Sequence, residues 1–326
     1  MRPTSDTPPK DSTTALLDEF FAGSGEDVLQ EDAPPEGFRS GYVAFVGRPN
    51  VGKSTLMNCF LEQRIAIVTP KPQTTRRKTL GILNTDAYQV VMLDTPGIME
   101  PKYALHEAMI DEAMSAFEDA DVIVYLAEAT RAPEILPALE KTQKPRLLAL
   151  NKVDRVPQKN ELLPVLEGYS ETGLFDEILP ICALSGDGVA DLLQAILSRL
   201  PEAPPLYPRE QVSEQPERFF VAEIVRERIF RRYEQEVPYS TEVLVTRFDE
   251  RGTHKDFIEA TIFVEADSQK AIVIGKRGLA IKELGEDARD AIEAFLGREV
   301  FLSLRVKTMP KWRKKAAALR KLGYKR

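Results

Sequence analysis

The sequence predicts an α/β domain with a mainly parallel sheet and helices on both faces, joined to a smaller α+β domain. Three observations carry the prediction. From Gly41 to Leu200 short apolar runs alternate with amphipathic stretches, the pattern of right-handed βαβ crossovers. At 201–217 the chain reads PEAPPLYPREQVSEQPE, and four prolines from Pro201 to Pro208 preclude regular structure, which marks an inter-domain linker. Beyond it, over 218–326, the order changes to helix, strand, strand, turn, helix, strand.

Taken in order, residues 1–40 are rich in Pro, Ser, Thr, Gly and acidic side chains, with three basic and nine acidic groups, and read as a disordered acidic tail. In the first domain, 41–200, strands are expected at 42–46, 89–94, 122–126, 146–150 and 177–181, with helices at 54–61, 104–117, 163–172 and 189–200. In the second, an amphipathic helix is expected at 218–233. It is followed by strands at 242–248 and 257–265, a turn segment at 271–278, a helix at 279–295 and a strand at 299–307. The basic tail 310–326 is expected to add one more helix.

Composition narrows the class. The 326 residues suffice for two domains, and no apolar run is long enough to span a bilayer. The N-terminus lacks a secretory h-region and is acidic, unlike a transit peptide. Cys59 and Cys182 lie in apolar segments and read as buried thiols in a reducing compartment. With only His106 and His254 besides, zinc chemistry is not expected. Net charge is −7, yet 271–326 hold fifteen basic and six acidic residues. Such a block is either a local polyanion-binding surface or a solvated charged face.

Gly47-Arg48-Pro49-Asn50-Val51-Gly52-Lys53-Ser54 matches the P-loop, after a strand and at the start of a helix. Its glycines let successive backbone N–H groups point at phosphate oxygens. Lys53 places a charge on the β- and γ-phosphates, and the Ser54 hydroxyl suits Mg²⁺. Asn151-Lys152-Val153-Asp154, at the end of the strand 146–150, selects the base. A carboxylate there accepts from N1–H and the exocyclic amine of guanine, a donor pair adenine lacks.

Asp94-Thr95-Pro96-Gly97 ends the strand 89–94. Asp94 is placed to hold Mg²⁺ through water and Gly97 N–H to sense the γ-phosphate. Between the two motifs lies the polar stretch Gln73-Thr74-Thr75-Arg76, in which Thr75, rather than Thr74, is expected to ligate Mg²⁺ in the triphosphate state. The expected catalytic set is thus Lys53, Thr75, Asp94 and Gly97. Ile98 follows Gly97 where many GTPases place a water-orienting glutamine, so water positioning must come from elsewhere.

In the second domain, Gly275-Lys276-Arg277-Gly278 follows an apolar segment and opens an amphipathic helix bearing Lys282. That is the setting of a KH domain, whose GxxG clamps the backbone of about four nucleotides. Lys311-Trp312-Arg313 joins an aromatic to a basic cluster. It either tracks single-stranded RNA, or Trp312 packs the tail helix onto the domain while the charges are solvated.

GRPNVGKST, PQTTR, DTPG and NKVD in this order, followed by RFFVAEIVRERIF, VIGKRG and PKWRKKAAALRKLGY, resemble the Era family among translation-factor-related GTPases. The resemblance covers about 41–324 and leaves the N-terminal tail unmatched. It implies a P-loop GTPase domain and a KH domain, with GTP and GDP as ligands and Thr55 completing the P-loop set. It implies that Cys182-Ala183-Leu184 stands where the family has Ser-Ala-Leu, whose backbone meets guanine, with cysteine in place of serine. It implies K⁺ beside Asn50, supplying charge where other GTPases use an arginine finger. It implies binding near the 3′ end of small-subunit (16S) ribosomal RNA during 30S maturation; a cytoplasmic monomer is expected, with the basic tail as the candidate for peripheral contact at the inner face of the membrane. The rival classes are a membrane-associated regulatory GTPase and an RNA-binding module with a slow nucleotide sensor.

Overall fold

A computed structural model describes residues 35–324 apart from Thr253. The tail expected over 1–40 falls outside the described residues as far as 34. Arg39 and Ser40 are no part of a tail, because they open strand β1 (Arg39–Gly47). Their side chains explain this. Arg39 Nη1 donates to Leu200 O (2.6 Å) and Ser40 Oγ to Pro204 O (2.6 Å), which ties the strand to the chain leaving the domain.

The first sheet has six strands: β1, β2 (Thr79–Asn84), β3 (Tyr88–Asp94), β4 (Val122–Glu128), β5 (Arg146–Asn151) and β6 (Glu177–Pro180). Their order is β2-β3-β1-β4-β5-β6, parallel except for β2, which runs antiparallel to β3 at one edge. Alternation in β1 sends Val43 and Phe45 to one buried cluster and Ala44 and Val46 to the other, so the strand reads as a continuous apolar run. Helix α1 (Lys53–Leu61) follows β1, α2 (Ala104–Asp119) follows β3, α3 is the short Pro137–Lys141, α4 spans Leu162–Ser170 and α5 spans Val189–Leu197. Strand β2 and helix α3 were not expected. Gly81 interrupts the apolar pattern of β2, and α3 is a single turn begun by Pro137.

Residues 201–216 form no helix or strand, yet they are not a loose tether. Gln89 accepts from the Leu206 and Tyr207 amides (2.6 and 2.9 Å) and donates to Tyr207 O (2.8 Å). The Ile82 amide donates to Val212 O (2.8 Å). The segment thus straps the β2 edge and satisfies groups an exposed edge would leave open.

The second domain opens with α6 (Glu217–Arg232) and the single turn α7 (Val237–Ser240). Strands β7 (Glu242–Asp249) and β8 (Asp256–Val264), helices α8 (Asp267–Ile274) and α9 (Leu279–Leu296), and strand β9 (Val300–Thr308) follow. The sheet order is β7-β8-β9, with β8 and β9 parallel. The stretch expected as a turn at 271–278 is instead the end of α8 plus a tight turn. Gln269 Oε1 accepts from the Glu265 and Ala266 amides (2.9 and 3.2 Å) and caps a helix whose β-branched residues suggested none. The basic tail is a 3₁₀ turn, Trp312–Lys314, and a short helix α10 (Ala316–Lys321) rather than one helix. Trp312, Leu319, Leu322 and Tyr324 pack on Leu105, Ala108 and Met109 of α2, so the end of the chain joins the two domains. Among the described residues no helix is long and apolar enough to cross a membrane.

Candidate functional site

The P-loop lies where β1 turns into α1, and its conformation follows from its residues. Gly52 has φ 107° and faces Asn151, and a Cβ there would lie 2.2 Å from Asn151 Nδ2. Asn50 is also left-handed (φ 65°), a conformation asparagine tolerates. Lys53 is buried, its Nζ donating to Arg48 O (2.9 Å) and Gly47 O (3.4 Å). Burial pushes its ammonium down to about 8, opposed by the charge of Asp94. Arg48 Nη2 pairs with Glu134 (2.5 Å), Gly97 packs against Pro49, and Thr55 lines a pocket bounded by Pro49, Lys53 and Gly97.

Three oxygens meet beside Lys53. Ser54 Oγ donates to Asp94 Oδ2 (2.6 Å), and Thr75 Oγ1 lies 2.9 Å from Ser54 Oγ and 3.3 Å from Asp94 Oδ2. Asp94 Oδ1 is buried without any hydrogen-bond partner. Burial pushes the Asp94 carboxyl up to about 6, against the Lys53 charge and the two hydroxyls. Two hydroxyls and a carboxylate, one of whose oxygens is buried without a partner, form the hard-oxygen set that Mg²⁺ takes. Thr74 turns away, bonded to Thr69 Oγ1 (2.7 Å) and Lys71 O (2.8 Å). Thr95 stands within a nucleotide motif, but its buried hydroxyl donates to Phe45 O (2.7 Å) and is spent inside the sheet. Ile98 also faces inward, with its amide on Gly47 O (3.0 Å).

At the base side, Asn151 stitches three loops. Its Nδ2 donates to Val51 O (2.8 Å), and its Oδ1 accepts from the Lys152 amide (2.8 Å) and the Ala183 amide (2.9 Å). The Ala183 amide, expected to meet the base, therefore has a partner inside the protein. Lys152 Nζ crosses the P-loop to Asn50 O (2.7 Å) and pairs with Glu128 (3.2 Å). Asp154 is exposed in a 3₁₀ turn, and Cys182 Sγ donates to its Oδ1 at 3.1 Å. The thiol thus does what a serine hydroxyl would do, orienting the carboxylate. Leu184 is 84% exposed at the rim.

His106 belongs to this region although sequence reading gave it no part. Its Nδ1 accepts from the Lys102 amide (3.3 Å), which leaves Nε2–H to donate to Gln73 Oε1 (3.3 Å). Burial, then the cations Arg313, Arg76 and Lys102, hold the imidazole below its ordinary value. It links the loop carrying Thr75 to the helix after Gly97. The spacing of the two segments gives no hint of this.

The second candidate surface is in the smaller domain. A Cβ at Gly275 (φ 72°) would lie 2.4 Å from Ala280 Cβ, so the turn into α9 needs glycine there. Gly278 is also left-handed (φ 78°), and Lys276 and Arg277 between them are exposed. Lys282 lies one turn on and opens a groove between α9 and β9 floored by Ile281, Leu302 and Leu304 and edged by Phe301 and Arg289. Phe301, 57% exposed on the outer strand, was missed; an aromatic on the solvent face of an edge strand was the available signal. Trp312 and Arg313, expected as RNA contacts, are not on this surface. Trp312 is fully buried with Nε1 on Ser240 O (2.8 Å). Arg313 pairs with Glu265 (2.5 Å) and stacks on Tyr103 (5.1 Å). Of that cluster, Lys311 is exposed.

Residues 42–152 match the family described as "50S ribosome-binding GTPase", and 236–313 match "KH domain". The chain is 46% identical to GTPase Era of Geobacter sp. (strain M21), over 88% of this chain and 98% of that one. It is 44% identical to the chloroplastic GTPase ERA-like protein of Arabidopsis thaliana, over 96% of this chain and 74% of the relative. A crystal structure of Era in complex with MgGDPNP and nucleotides 1506–1542 of 16S ribosomal RNA superposes with TM-score 0.84 at 37% identity, covering 88% of this chain and 99% of that one. A point variant of Aquifex aeolicus Era bound to GDP·AlF4⁻ gives TM-score 0.83 at 37% identity, with the same coverage.

Proposed function

The chain belongs to the Era family of GTPases, and on that premise we propose that it is a Mg²⁺-dependent guanine-nucleotide switch whose KH domain binds the 3′ region of small-subunit ribosomal RNA during 30S maturation. The observation that carries the reading is the meeting of Ser54, Thr75 and Asp94 beside Lys53, at the end of strand β3 of the same sheet whose β5 leads to Asp154. Lys53 sets its charge on the terminal phosphates, while Ser54, Thr75 and Asp94 offer oxygens to Mg²⁺. Mg²⁺ supplies charge neutralisation on the phosphates when bound. Asp154, oriented by Cys182, selects guanine. Water is oriented by groups other than Ile98, whose side chain is turned into the core.

For the monovalent ion, Asn50 Nδ2 donates to Pro70 O (3.2 Å), so its Oδ1 is left for a ligand beside the phosphates, near the loop that carries Thr75. We propose K⁺ there. Initial phosphate release is expected to be at least about tenfold faster in KCl than in NaCl at equal ionic strength, a modest part of what one transition-state charge contact supplies. Asn50→Ala should remove the difference and leave GDP affinity nearly unchanged. Equal wild-type rates in the two salts would remove the ion from the mechanism.

For RNA, the exposed Lys276 and Arg277 on a glycine-bounded turn, with Lys282 one turn on at the Phe301 groove, support the KH reading. The double variant Lys276→Asp/Arg277→Asp is expected to weaken binding of an oligonucleotide from the 3′ end of 16S RNA by about 10–100-fold. Its salt slope should flatten by about 0.7 per lost single-strand phosphate contact. Basal GTP hydrolysis should hold. Unaltered RNA affinity in the titration would refute the assignment.

A further inference from the structure

The nucleotide site and the KH domain are joined by two consecutive residues. Thr75 stands with Ser54 and Asp94, and Arg76 turns the opposite way and is 2% exposed. Its guanidinium lies among groups of the second domain. Nη1 donates to Thr241 O (2.6 Å) and Glu242 Oε2 (2.9 Å), and Nη2 donates to Tyr239 O (3.1 Å) and Pro238 O (3.2 Å). Phe230 and Trp312 flank it at 5.7 and 5.8 Å. Burial would raise Glu242, but Arg76, Arg77 and Arg226 hold its carboxyl below the usual range. The loop is held on either side as well. Lys71 Nζ donates to Phe230 O (2.7 Å) at the end of α6, and Arg77 stacks on Tyr324 (4.6 Å).

Consecutive Cα atoms are about 3.8 Å apart, so Thr75 cannot move far from Ser54 and Asp94 while Arg76 stays in its pocket. Withdrawing Arg76 would strip Glu242 of a buried counter-charge, which opposes small displacements and favours two discrete arrangements. We propose that Arg76 is a positioning residue for GTP hydrolysis: its burial in the KH domain holds Thr75 in the Mg²⁺ site, so that the second domain completes the γ-phosphate-sensing side of the first. The proposal rests on the reading of Thr75 as a Mg²⁺ ligand in the GTP state. By linkage, whatever firms the pocket around Arg76 favours the Mg²⁺·GTP state, and that state firms the pocket in return.

The test uses the full chain and two readouts. The first is the Mg²⁺ concentration needed for half-maximal binding of a fluorescent, non-hydrolysable GTP analogue, beside the affinity for GDP. The second is the emission of Trp312, the chain's single tryptophan, which lies against Arg76. In the wild type, exchanging GDP for the GTP analogue should change Trp312 emission. Arg76→Lys keeps the charge but not the fork. It should lose that change and raise the Mg²⁺ requirement about tenfold, with GDP affinity held within about twofold. The double variant Arg76→Met/Glu242→Gln, which removes both charges of the pair, should behave alike if folding is kept by circular dichroism. A wild-type Mg²⁺ requirement and a wild-type emission change in Arg76→Lys would overturn the proposal. Thr75→Ala separates the premise: if it leaves the Mg²⁺ requirement unchanged, the ligand reading is at fault. If it raises the requirement and Arg76→Lys does not, Arg76 has no positioning role.

Discussion

Replacing Asp154 with asparagine is expected to convert a GTP site into one that prefers XTP. The carboxylate is exposed, carried on a 3₁₀ turn after β5, and held by Cys182 Sγ at 3.1 Å on one oxygen only. Asparagine would keep an oxygen that accepts from the Cys182 thiol and from the purine N1–H, and turn its amide N–H groups toward the substituent at C2. Guanine presents N1–H and an amine, so the bond from N1–H loses its charge assistance on the amide oxygen and the bond from the amine is replaced by a donor facing a donor. At about 1.5–3 kcal/mol per bond, GTP affinity should fall by about 10²–10⁴-fold. Xanthine carries a carbonyl in place of the amine and should recover most of that loss. Competition of XTP and GTP against a fluorescent guanine nucleotide measures it. A variant that still binds GTP far better than XTP would mean that the base is read elsewhere. Cys182→Ser should change little, because a hydroxyl donates to the same oxygen.

Trp312→Ala is expected to act on stability and only through it on RNA. The ring is fully buried among Leu105, Met109, Leu319 and Leu322, flanks Arg76, and bonds Ser240 O through Nε1 at 2.8 Å. Truncating a buried tryptophan costs about 3–5 kcal/mol in transfer and cavity terms. Trp312→Phe keeps most of the apolar area but leaves Ser240 O without its donor, for about 1–3 kcal/mol. Urea unfolding followed by circular dichroism would give both values. An alanine variant with undiminished stability and weakened RNA binding would return Trp312 to the RNA surface. Because the ring also joins α2 to the KH domain, the alanine variant should raise the Mg²⁺ requirement for GTP analogue binding as well.

The P-loop turn and the glycine-bounded turn of the second domain were legible in the residues alone, and for a common reason. A backbone that wraps a phosphate is built from contiguous residues, so Gly47 to Ser54 and Gly275 to Gly278 carry their geometry with them. Strands β1, β3, β4 and β5 were legible because burial on both faces imposes an apolar run that needs no knowledge of partners. What failed depended on partners far along the chain. Strand β2 takes its place from pairing with β3, and α8 is held by the Gln269 cap. Trp312 and Arg313 have the composition of an RNA contact, yet Ser240, Glu265 and Tyr103 claim them. His106 acquires its role from Gln73, and Arg76 from Glu242. The sequence by itself therefore determined which chemistry each loop can offer, since that rests on residue type and short-range backbone shape. Only the tertiary structure decided which of those side chains remain free to offer it. A buried cation or aromatic is bound by whatever donor, acceptor or ring the other domain brings within reach, and nothing local encodes that choice.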